Sequence, residues 1–227
     1  ISHAALGGVA LGLVLGVSPI GAAAAFSVGV AWIIGWITRK GEVSEDTAIG
    51  VFFPTAMALG VALISLSETY RQDLLGYLFG NILSVGPQDI TGLVALAGVS
   101  LGILALLFKE FLFLGVDEEG AKAAGLPTTF LNYLLLSILA VTIVAAMKLV
   151  GIILVSAFLV IPAATGQALA SSVRGMVAIS LASALVSVGA GLWLSWLWNL
   201  PSGASVVLFA AALFFAAYLL GSLRAGV

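Results

Sequence analysis

Apolar stretches long enough to cross a bilayer recur from one end of this chain to the other, and that recurrence decides what it can fold into. A transmembrane helix needs about 20 predominantly apolar residues to cross a hydrocarbon core roughly 30 Å thick. Residues 22–38, 44–67, 90–108, 128–147, 149–169, 176–198 and 204–220 meet or approach that length. Charge is confined to the gaps and ends: 8 Lys and Arg and 10 Asp and Glu in 227 residues. That 8% share compares with about 25% in a soluble domain. No soluble fold of this length covers so much apolar surface. The expectation is an all-α, polytopic transmembrane helical bundle, one domain over residues 1–227, with about eight apolar segments.

The first segment, residues 1–16, is short. At about 1.5 Å per residue it covers about 24 Å, so it reads as the end of a longer helix whose amino-terminal part is missing. Gly8, Gly12 and Gly16 recur every four residues and predict a smooth groove for close helix packing. A turn is expected around Pro19, over residues 17–21. Ser44 reads as an N-cap, with Glu45 and Asp46 suited to the positive end of the helix dipole. Pro54 predicts a kink in that helix, and Pro162 predicts a break in the helix over 149–169. Residues 70–83 place Leu74, Leu75, Leu78, Phe79, Ile82 and Leu83 opposite Arg71, Asp73 and Asn81, which reads as an amphipathic or re-entrant piece. The tight junction at Lys148 predicts a hairpin of two helices.

One charged interruption stands out. Residues 108–127 carry Lys109, Glu110, Asp117, Glu118, Glu119 and Lys122, between two apolar runs. The segment is too polar for hydrocarbon and too short for a domain. It predicts a short helical platform over residues 117–124 at one membrane face, ended by Gly125 and Pro127. The alternative is a solvated loop. With the platform cytoplasmic, counting spans puts Arg39, Lys40, Lys109, Lys122, Arg174 and Arg224 on its side and only Arg71 and Lys148 opposite, which satisfies the positive-inside rule. Trp193, Trp196 and Trp198 then fall at the outer interface.

The polar residues that are missing constrain the mechanism. No span carries a central carboxylate of the kind ion-driven carriers keep near the midplane. The four lysines are followed by Gly41, Glu110, Ala123 and Leu149, so there is no Walker loop, and energy for transport must come from another polypeptide. With no cysteine and one histidine, His3, the acid–base partners of an intramembrane hydrolase are absent. No basic patch suits a nucleic acid. His3 reads either as a helix-packing residue or, because a polar group within a span is costly, as a functional one.

Five stretches, taken together, resemble the permease subunits of ABC importers for zinc, manganese and iron(II). They are Ser2-His3-Ala4-Ala5-Leu6-Gly7-Gly8, Ser44-Glu45-Asp46-Thr47-Ala48-Ile49-Gly50, residues 117–127, residues 150–165 with Ile161-Pro162-Ala163-Ala164-Thr165, and Asn199-Leu200-Pro201-Ser202-Gly203-Ala204. The resemblance implies a homodimer in the cytoplasmic membrane of a bacterium or archaeon, two cytoplasmic ATPase subunits and an extracytoplasmic metal-binding protein. It implies no permanently bound cofactor, the divalent metal ion being cargo. It makes residues 109–127 a coupling segment, with Asp117, Glu118, Glu119, Ala121 and Gly125 at the ATPase contact. It makes His3 a transient metal ligand and Asn199 a weaker one; the residues themselves offer Pro162 with Thr165 as a helix break that exposes carbonyls to the pathway. The chain departs from the family pattern at Gly7, where Pro is usual, and at Asn199, where Asp is usual. The expectation is thus an importer permease with no enzymatic activity of its own; a passive channel or a non-transporting membrane scaffold is the alternative.

Overall fold

A computed structural model describes residues 2–39, 43–65, 80 and 86–225. They form helices throughout: α1 (Ser2–Leu15), α2 (Pro19–Arg39), α3 (Glu45–Ser65), α4 (Pro87–Leu106), α5 (Phe108–Val116), α6 (Glu118–Ala123), α7 (Thr128–Leu169), α8 (Val173–Trp198) and α9 (Ser202–Ala225). Six of them are long and apolar enough to cross a membrane. α7 spans 42 residues but is interrupted at Gly151, whose φ of 81° and ψ of 156° are not helical. Counting its two parts separately, and adding the short α1, recovers the eight apolar segments. The amphipathic piece expected over residues 70–83 lies, except for Gly80, outside the described residues.

The chain divides into two compact units near Gly151. One comprises residues 1–74 and 82–149, the other residues 75–81 and 150–227. In the first, α1 is the buried element: Ala4, Ala5, Leu6, Val9 and Ala10 are almost wholly inaccessible. Small residues are the cause. A methyl added at Gly8 would stand 2.5 Å from Ala23 Cα, and one at Gly12 would stand 2.7 Å from Pro19 Cα, so α2 lies directly on α1. On the other side a methyl at Gly60 of α3 would stand 3.2 Å from the Gly7 nitrogen. Ala4, Val30 and Ala56 join the three helices in one core, with Phe26, Ile34 and Phe52 against it. In lipid such interfaces form by close packing, since apolarity alone gives no preference for a helix over an acyl chain.

Gly16 does not extend that groove. Its φ of 66° ends α1, and Val17 N–H closes the turn onto the Gly12 carbonyl at 3.0 Å. A glycine at a C′ position serves the left-handed turn that other residues resist. The turn is also shorter than expected, because Pro19 is already the first residue of α2. A proline there loses nothing, since its missing N–H would have been unpaired. Ser44 caps α3 as its sequence suggests, accepting from Thr47 N–H at 3.2 Å.

The second unit packs residues 152–169 of α7 with α8 and α9, and a glycine stands at each close approach. Gly166 faces the Met176 carbonyl of α8, Gly191 faces the Val206 backbone of α9, and Gly221 faces the Ala168 carbonyl of α7. The helix expected to break at Pro162 runs through it instead, and the break is at Gly151. Proline removes one donor, yet a packed membrane helix tolerates this when neighbouring groups re-satisfy the backbone. Thr165 Oγ1 donates to the Ile161 carbonyl at 2.8 Å, within the same helix.

Candidate functional site

The charged interruption is built as two short helices. α4 stops at Leu107, where φ is −103° and ψ is 21°, and α5 starts at once. At Asp117 the chain turns extended. Its N–H closes α5 onto the Phe113 carbonyl at 2.9 Å, and its Oδ1 accepts from Gly120 N–H at 2.8 Å to open α6. The Asp117 carboxylate lies where a methyl at Gly120 would stand, so the cap folds closely over the glycine. At the other end Gly125 takes φ +84°, and Leu126 N–H reaches back to the Ala121 carbonyl at 3.1 Å. That six-to-one bond is the Schellman closure, which satisfies carbonyls the helix leaves open. Thr128 then starts α7, with Leu131 N–H bonded to the Pro127 carbonyl at 3.0 Å.

Asp117, Glu118, Glu119, Lys122 and Gly125 are exposed, whereas Ala121 is buried. The helix therefore turns one methyl inward and its carboxylates outward. Arg39 Nη2, at the end of α2, donates to Glu118 Oε1 at 3.4 Å. This contact joins the platform to the end of a second span and puts Arg39 on the platform's side, as the charge count expects. Lys148 Nζ instead donates to Asp89 Oδ1 at 2.6 Å, where α4 begins. That pair lies away from the platform, at the start of α4 and near the end of the part of α7 that precedes Gly151, since α4 leads into the platform and α7 leads away from it.

His3 sits in α1, half-buried. Its ring meets Phe53 of α3 with centroids 4.0 Å apart, tilted by 51°. Ser2 Oγ lies 3.4 Å from His3 Nδ1. Among the described residues no three of His, Cys, Asp and Glu gather as a metal cluster. Ser27 of α2 is fully buried, and its hydroxyl has no hydrogen-bond partner among the described residues. In the other unit, Asn199 is exposed and takes φ 52° at the end of α8. Asn tolerates the left-handed region better than most residues, so capping is one reason for it here. Ser195 Oγ completes the turn by donating to the Leu200 carbonyl at 2.7 Å. Pro162 and Thr165 are both buried within α7.

The structure thus brings Asp117, Glu118, Glu119, Ala121 and Gly125 onto one small element. His3 belongs to the first unit; Asn199, Pro162 and Thr165 belong to the second. Sequence reasoning missed α5, the Asp117 cap, the Arg39–Glu118 and Lys148–Asp89 pairs, and Ser27. The cap had a local signal, an Asp three residues before a Gly. The pairs had none, since their members lie far apart in the sequence.

The profile of the ABC 3 transport family matches residues 1–221. The chain belongs to the ABC 3 transport family. Among its relatives, the "Manganese transport system membrane protein MntC" of Listeria monocytogenes is 40% identical over 219 residues, covering 96% of this chain and 78% of that protein. The "Manganese import system permease protein ScaB" of Streptococcus gordonii is 36% identical over 218 residues, with the same coverage of each. A solved structure, "PsaBC from Streptococcus pneumoniae in complex with Fab", superposes with a TM-score of 0.81 at 36% identity, over 96% of this chain and 78% of that one. As an ABC 3 member with six helices, among the described residues, long and apolar enough to cross a membrane, the chain is a multi-pass membrane protein, the permease rather than the ATPase of its transport system.

Proposed function

We propose that this permease is the pathway of an ATP-driven importer for a divalent transition metal, with manganese the first choice among manganese, zinc and iron(II). The single observation that carries the reading is the platform, a helix capped at both ends that presents carboxylates away from the bundle. Relatives named for manganese transport support the choice of metal. A cytoplasmic ATPase subunit receives α6 in a groove. Its movement passes through Pro127 and Thr128 into α7 and through the Arg39–Glu118 contact into α2. Ala121 anchors the platform from inside, while Glu118 and Glu119 meet the ATPase. The permease works as a homodimer, alternates between outward-open and inward-open states, and receives metal from an extracytoplasmic binding protein.

His3 is the transient ligand in this reading, Asn199 a weaker one, and Pro162 with Thr165 line the path. Imidazole, hydroxyl and amide groups are few and weak, which a transported ion needs in order to leave again. The test is uptake of radiolabelled manganese into vesicles holding the full-length permease, with and without its ATPase. Uptake should require the ATPase, and the two should copurify. Equal uptake without any ATPase overturns the importer reading and leaves a channel.

A further inference from the structure

A groove of about 630 Å³ runs between α2 and the start of α7 and has no part in the reading above. Its walls include Trp32, Trp36, Phe130, Tyr133, Leu134 and Ser137. Two of its polar side chains are turned on one another. Trp32 Nε1 donates to Ser137 Oγ at 2.9 Å, and Ser137 Oγ donates to the Tyr133 carbonyl at 2.7 Å. The Trp32 and Tyr133 rings meet edge to face, centroids 5.9 Å apart, so Trp32 is held in place. The wall left over is hydrocarbon-like. Both helices that form it are long and apolar enough to span the membrane, so a groove between them lies at the depth of acyl chains.

The charge beside it selects among lipids. Trp32, Trp36 and Arg39 fall on successive turns of one face of α2, with Arg39 at the platform end. Trp and Tyr favour the depth where chains meet headgroups, and the phosphate layer lies one turn further out, at the level of Arg39. Among the described residues Arg39 has one carboxylate partner, Glu118, which is 3.4 Å away and half-exposed. A guanidinium fork takes a phosphate through two bonds at once. We propose that the groove holds one acyl chain of an anionic phospholipid from the leaflet on the platform side, with the lipid phosphate on Arg39. The headgroup then competes with Glu118 for the guanidinium. Free phosphate lacks the chain that the groove accepts, and a zwitterionic lipid lacks the net charge.

Native mass spectrometry of the full transporter complex, titrated with phosphatidylglycerol or phosphatidylcholine, tests this. One phosphatidylglycerol per permease should bind about fivefold more tightly than phosphatidylcholine, the preference that one basic side chain near the surface confers. Arg39→Gln should abolish the preference and keep the chain contact. Trp36→Ala should weaken both lipids. Glu118→Gln, which frees the guanidinium, should widen the preference. Equal binding of the two lipids by the wild type overturns the proposal, as does phosphatidylglycerol affinity unchanged in both Arg39→Gln and Trp36→Ala. Displacement by inorganic phosphate overturns it too. Binding of neither lipid also overturns it and means that protein, such as a second copy, covers the groove.

Discussion

α1 and α4 are both apolar helices with several glycines, yet they end in opposite surroundings. Nine of the 14 residues of α1 are buried, from Ser2 to Gly12, whereas Ser100 alone is buried among the 20 of α4. Gly8 and Gly12 of α1 lie against the backbone of α2, while nothing stands within 4 Å of where a methyl would be at Gly92, Gly98 or Gly102 of α4. Apolarity does not sort the two, because lipid is as apolar as a protein core. What separates them is which glycine face is occupied: α2 lies on Gly8 and Gly12 of α1, whereas no described residue lies on Gly98 and Gly102 of α4. The helix so enclosed carries the chain's one histidine, and the helix left open leads to the platform.

The strongest way to break the comparison is to give both helices the same insult. Gly8→Leu forces a side chain into the Ala23 backbone and should cost about 3 kcal/mol, the upper range for overpacking. Gly102→Leu meets open space and should change stability by no more than about 0.5 kcal/mol. Denaturant titration of the detergent-solubilised permease measures both. Equal losses would mean that α1 is not the enclosed helix.

Gly125→Ala should cost about 1 kcal/mol, because φ +84° suits glycine and strains alanine. Its larger effect is on coupling. Combined with Glu119→Ala, it should leave basal ATP hydrolysis in place while removing stimulation by the loaded delivery protein. An ATPase assay on the reconstituted complex reads this, and undiminished stimulation would make α6 a mere connection.

Ser27→Ala sharpens the view of the α1 surroundings. The Ser27 hydroxyl is buried without a partner among the described residues, so its removal should stabilise the fold by about 1 kcal/mol. A variant that is more stable and transports less would assign that hydroxyl to the ion. A loss of stability would reveal a structural hydrogen bond. Lys148→Met comes last in size. The Lys148 and Asp89 side chains are both partly exposed, and solvent screening keeps the loss of such a pair small. The same titration checks it.

How much of this was legible follows from what each residue depends on. Ser44, Gly125 and Pro127 act within a few residues of their own position, so the α3 cap and the end of the platform could be read directly. Gly16 was ambiguous because one residue type serves both close packing and a left-handed turn, and a four-residue repeat does not choose between them. Pro162 misled for a related reason. Its missing donor suggests a break, but burial within a bundle keeps the helix intact, and the conformational freedom of Gly151 made that the place where the chain bends. The Arg39–Glu118 contact joins residues that no local pattern links. His3 was visible from its cost in an apolar helix, whereas its stacking on Phe53 needed the fold.

Manganese uptake by the His3→Ala variant of the full-length permease, reconstituted with its ATPase and delivery protein, tests most directly whether the enclosed helix is the ion path. Uptake should fall to background, while assembly with the ATPase and docking of the loaded delivery protein persist. Uptake at the wild-type rate would contradict the account and leave His3 as a ring packed against Phe53.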